Sequence, residues 1–188
     1  MDSKNKHNIV NALILATQDE LKQGKMWYLD TRNICKQIAK DTNTKFIVVA
    51  GIFSALSVTC PISKNILDTK MLILNSDHKC TTYKQQKEKA LRILSLYKPT
   101  VKKITGILNG QKTVRFFLNI YSRKYDVVTI DRHAISLYFG TFNYRFIETK
   151  PRMKKIREDY KDVASTFNLR PYQLQAITWL VWKRINNI

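Results

Sequence analysis

Acidic residues are scarce in this chain: 14 Asp and Glu stand against 33 Lys and Arg, a formal charge of +19. A protein so unbalanced is expected to meet a polyanion, and nucleic acid is the first class of partner to consider. Long apolar runs are missing as well, and no signal peptide is recognised. A membrane span or secretion is therefore not expected, and a cytoplasmic location is. Cysteine is sparse. Cys35, Cys60 and Cys80 are scattered and odd in number, so they build neither a disulfide framework nor a metal-ligand spacing. That fits a reducing compartment and leaves no metal or cofactor expected. Internal repeats, low-complexity tracts and flexible linkers are absent too. The 188 residues can bury one substantial core, so a single, monomeric domain spanning 1–188, built of two helical lobes, is the expectation.

What is present is helical periodicity. Asn8–Lys22 carries an apolar stripe through Ile9, Ala12, Leu13, Ala16 and Leu21, and Gly24 reads as its stop. Asp30 or Thr31 can cap a second helix with Ile34, Cys35, Ile38 and Ala39 on one face. Thr44–Ser57 is the most apolar stretch; its length favours a helix buried on most sides, and Gly51 and Ala55 would let a neighbour approach closely. Pro61 can stand at the first position of the next helix. Tyr83–Leu96 is amphipathic, with Ala90, Ile93 and Leu94 on its apolar face. Thr100–Ile107 is a short helix introduced by Pro99, and Arg170-Pro171 opens the last one.

The informative stretch is 107–133. Asn109-Gly110 reads as a tight turn using φ > 0, and a helix begins at about Gln111, with Val114, Phe117, Leu118 and Tyr121 facing the interior. A helix N-terminus offers N–H groups and partial positive charge to a phosphate. Lys112 in that first turn works against the dipole, which invites a functional explanation. Asp131 is placed to cap the helix that follows. Further on, Lys150–Arg157 carries five basic residues among eight. Such a run is a solvated helix face or, with this overall charge, lies along a phosphate backbone.

The ordered set Gly110-Gln111-Lys112-Thr113, Leu118-Asn119, the apolar run Val127 to Ile130, and Asp131-Arg132-His133 resembles the helix-hairpin-helix DNA glycosylase superfamily, the endonuclease III-like proteins. The resemblance covers about Phe46 to Arg184. It implies an all-α, two-lobed fold with a helix-hairpin-helix motif at about 100–122, a catalytic loop at about 126–133 and a central cleft. Lys112 matches the amine nucleophile of the bifunctional members and Asp131 their catalytic carboxylate. The two lie 19 positions apart, similar to the family's spacing. The hairpin departs from the family's Leu-Pro-Gly-x-Gly in having Gly110 as its single glycine, and the four-cysteine iron–sulfur loop is not present.

The partner so implied is double-stranded DNA with a flipped base. Asn109, Gly110, Gln111 and Thr113 of the hairpin would grip it, with Lys154, Lys155 and Arg157 on the basic run. His133 would support the helix start. Base excision with Schiff-base lyase chemistry is the leading expectation. Some viral relatives are associated with thymine hypermodification, so base modification is a second, with a host cytoplasm as the location for a viral protein. A non-catalytic DNA-binding protein on the same scaffold is a third, and an RNA-binding or virion component a fourth.

Overall fold

The computed structural model describes residues 2–142 and 149–188. Among the described residues there are ten α-helices and no strand, so the fold class is all-α. The helices are α1 (Asp2–Ile14), α2 (Gln18–Asp41), α3 (Phe46–Leu56), α4 (Ile62–Leu74), α5 (Lys84–Leu94), α6 (Val101–Leu108), α7 (Gln111–Tyr121), α8 (Arg132–Phe139), α9 (Lys150–Thr166) and α10 (Pro171–Ile185). They fall into two compact units. One is Met1–Tyr28 with Asp126–Ile188, the other Leu29–Tyr125. The chain passes from the first to the second within α2.

The first two helices divide differently from the sequence expectation. α1 ends at Ile14, and α2 runs on through Gly24, Asp30 and Thr31. Its start is set by a capping box: the Glu20 N–H donates to Thr17 Oγ1 at 3.2 Å, and the Thr17 N–H donates to Glu20 Oε2 at 2.9 Å. Gly24 is a packing glycine. A Cβ there would lie 2.4 Å from Ile177 Cγ1 and 2.7 Å from the Ile177 backbone, so the α10 backbone approaches where a side chain would block it. Pro61, expected as the first helical residue, is the N-cap of α4 instead.

In the unit formed by the chain's two ends, α1, α8, α9 and α10 pack together around Ile9, Ile135, Ile156, Tyr160, Leu174 and Ile177. Arg184 near the end of α10 donates to Glu20 at 2.8 Å. That hydrogen bond and the guanidinium charge hold the Glu20 carboxyl below its usual range.

The other unit is organised on α3. Every residue from Val48 to Leu56 is buried, and α4, α5, α6 and α7 all pack against this helix. Gly51 is the point of closest approach: a Cβ there would meet methyl groups of Ile104 and Ile93 at 3.0 and 3.1 Å. A helix with no charged residue, wrapped by amphipathic neighbours, is what its composition requires.

Candidate nucleic-acid interface

The α6–α7 connection is two residues long. Thr100 caps the start of α6, accepting from the Lys103 N–H at 3.3 Å. At the far end Asn109 takes the left-handed conformation with φ 52°, and its N–H donates to Thr105 O at 3.0 Å. Gly110 follows with an ordinary φ of −100°. The positive φ expected of the Asn-Gly pair is thus carried by Asn109, a residue that tolerates it better than most. The Thr113 side chain is buried, and its hydroxyl donates back to Gly110 O at 3.1 Å, making Thr113 part of the turn itself. Lys89 of α5 donates to Leu108 O at 2.9 Å, a cation on the last carbonyl of α6 where the helix dipole favours it.

α7 starts directly from this turn. Asn109 and Gln111 are exposed and Lys112 is half-buried in the first turn. Lys102 and Lys103 stand exposed on α6. On α7 itself Phe116, Phe117 and Ile120 face inward. Arg115 is half-buried, its Nε has no hydrogen-bond partner among the described residues, and burial pushes its pKa down.

Asp131 belongs to the other unit and is described with its own neighbours. It is the N-cap of α8: the Ala134 N–H donates to Asp131 Oδ1 at 2.9 Å. The run before it, Val128 to Ile130, is buried without regular structure. His133 lies edge-on to Trp179, centroids 6.5 Å apart, and accepts from Arg132 Nε at 3.4 Å.

Around this helix start lies a buried polar cluster that periodicity did not reveal. The Tyr28 hydroxyl is within hydrogen-bonding distance of Thr129 Oγ1 at 2.9 Å and Gln175 Oε1 at 3.2 Å. The Tyr160 hydroxyl meets Thr178 Oγ1 at 3.1 Å. Burial raises the Tyr160 pKa, and the negative charge of Asp131 pushes it the same way, so the carboxylate is in electrostatic reach of this interior. A signal was available in the polar residues Tyr28, Thr129, Gln175 and Thr178, which stand on faces otherwise apolar.

The basic run forms the start of α9, capped by Thr149. Its lysines are not equivalent. Lys154 is exposed, 3.8 Å from Glu158. Lys155 donates to Asp159 Oδ1 at 2.6 Å, and the other oxygen of this buried carboxylate accepts from the Tyr138 hydroxyl at 2.6 Å. Lys155 is thus ion-paired to a buried carboxylate of its own helix. Arg157 is half-buried on the same helix.

Sequence spacing also passed over Asp68, His78 and Cys80, whose donor atoms lie within 4.8 Å of one another. His78-x-Cys80 was the visible fragment; Asp68 comes from the preceding helix. Burial opposes ionisation of Asp68, but the Thr81 N–H and the His78 ring outweigh it and hold the carboxyl below its usual range.

The profile of a family of unknown function, DUF7178, matches residues 2–186. No curated protein and no solved structure matches the chain.

Proposed function

The chain belongs to DUF7178, a family of unknown function, and we propose that it binds duplex DNA through the α6–α7 hairpin and processes a base flipped from the stack. The observation that carries the reading is the two-residue turn with Asn109 in the left-handed conformation, which joins α6, with Lys102 and Lys103 exposed, to the first turn of α7, which carries Lys112. Helix N-termini bind phosphate through backbone N–H groups and the dipole, and a charge of +19 supplies the long-range attraction. A base in duplex cannot be reached by a side chain while stacked, so flipping is part of the proposal.

In the chemistry that the resemblance implies, the Lys112 amine in its neutral form attacks C1′ of the flipped nucleotide. The base departs with the bond electrons, and a Schiff base forms on the opened sugar, from which strand cleavage follows. The Asp131 carboxylate stabilises positive charge developing at C1′. Base modification on the same scaffold is the alternative chemistry. A non-catalytic DNA-binding role is favoured by one observation, the Ala134 N–H bond to Asp131 Oδ1, because a cap accounts for that carboxylate without any reaction.

Salt dependence tests the binding half. If about 5 phosphates are neutralised, log K falls against log salt with a slope of about −4 to −5. Lys102→Gln with Lys103→Gln makes the slope shallower by about 0.9 for each phosphate left without its cation, on every sequence. A slope identical to wild type removes the hairpin from the interface.

A further inference from the structure

The second unit holds a cluster that the DNA reading does not use. Asp68 lies on α4 and is buried, 3 % exposed. After α4 the chain turns back: Asn75 closes the helix, the Asp77 N–H donates to Asn75 Oδ1 at 2.9 Å, and the His78 N–H donates to Asn75 O at 3.0 Å. This returns the α4–α5 loop to the helix it has just left. His78 Nε2 then lies 2.9 Å from Asp68 Oδ1, and the Thr81 N–H donates to Asp68 Oδ2 at 2.7 Å. Thr82 Oγ1 donates to Val58 O at 2.6 Å, tying the same loop to the α3–α4 connection.

Hydrogen bonds alone account for Asp68 and His78 as a loop clamp. They do not account for the half-buried Cys80 thiol standing within 4.8 Å of both the carboxylate and the imidazole. One sulfur, one nitrogen and one oxygen donor within 4.8 Å is near the spacing a small cation imposes. Donors at zinc bond lengths around a tetrahedron stand roughly 3.3 to 3.8 Å apart. Sulfur donors disfavour calcium and magnesium, and a mixed sulfur, nitrogen and carboxylate set suits zinc. Three protein donors leave the fourth position of a tetrahedron to water.

We propose that Asp68, His78 and Cys80, with water as the fourth donor, bind one zinc ion that fastens the α4–α5 connection to α4. The ion takes the place of the direct Asp68–His78 contact, and the Thr81 N–H remains to orient the carboxylate from outside. The proposal stands apart from the DNA reading, since neither Lys112 nor Asp131 enters it.

Cobalt(II) is the probe, titrated into the full-length reduced protein after chelator treatment. The expected result is one equivalent bound, a thiolate-to-cobalt charge-transfer band, tetrahedral d–d absorption, and displacement by zinc. Cys80→Ser and His78→Gln each weaken binding by about 100-fold or more, at least the cost of losing an outer partner. Asp77→Asn, the exposed carboxylate beside the cluster, leaves affinity unchanged. Should a variant fail to fold, the wild type suffices: zinc in excess raises the melting temperature of the metal-free chain. No charge-transfer band, a band that persists in Cys80→Ser, or an unchanged melting temperature overturns the proposal.

Discussion

The two units bury polar groups alike but differ in the element each is built on. Leu29–Tyr125 is built on α3, whose residues from Phe46 to Leu56 include no charge and one hydroxyl, that of Ser54, which donates to Ala50 O at 2.7 Å. The unit of the two termini keeps Thr129, Asp159, Gln175 and Thr178 inside, each with a named partner. An apolar core tolerates rearrangement, because dispersion and burial have no preferred direction. A core with hydrogen-bonded polar groups is directional, and leaving one of them unmade costs more than making it gains. The hydrogen-bonded positions should therefore respond more sharply to small changes than the apolar residues of α3.

Two helical glycines, Gly24 and Gly51, give the largest contrast. Gly24→Ala drives a methyl against the Ile177 backbone, and overpacking of this kind costs about 2–3 kcal/mol even after the helix propensity that Ala regains. Gly51→Ala meets side-chain methyls of Ile104 and Ile93 and is expected to change stability by less than about 1 kcal/mol. Denaturant unfolding of both variants decides it. Equal costs would mean that the backbone at Gly24 relaxes and the contrast disappears.

A smaller effect is expected at Asp159. Asp159→Ala strands the buried Tyr138 hydroxyl and releases Lys155, which costs about 2 kcal/mol. Lys154→Ala, on the exposed side of the same helix, costs less than about 0.5 kcal/mol. If urea midpoints move together for the two, the carboxylate is not the anchor that its geometry makes it.

The contrast also explains what the sequence could reveal. α3, α5, α7 and α10 follow directly from apolar spacing, and Asp131 was readable as a cap because Asp before an apolar run has few other uses. The α1–α2 break was misplaced because Gly24 was read as a stop signal. The same residue type serves close packing, and only the identity of the partner, Ile177, tells the two apart. The Thr17–Glu20 capping box was the better signal and stood in plain view. The polar cluster beside α8 escaped because periodicity counts apolar residues and takes buried hydroxyls for surface ones. Asp68, His78 and Cys80 escaped because their approach depends on how one loop turns at Asn75. Lys155 looked like its neighbours in a basic run until its partner four positions on proved to be buried.

The central claim, that Lys112 acts as an amine on a flipped nucleotide, is tested most directly by borohydride trapping on a duplex containing an abasic site. Wild-type protein is expected to form a covalent adduct. Lys112→Gln is expected to form none while retaining DNA affinity, since the amine alone can make the imine. With a modified-base duplex in the same assay, Asp131→Asn should slow base release by about 100-fold or more while folding normally, because Asn caps a helix about as well as Asp. An adduct of undiminished yield in Lys112→Gln, or none with the wild type, would contradict the account and leave DNA binding without this chemistry.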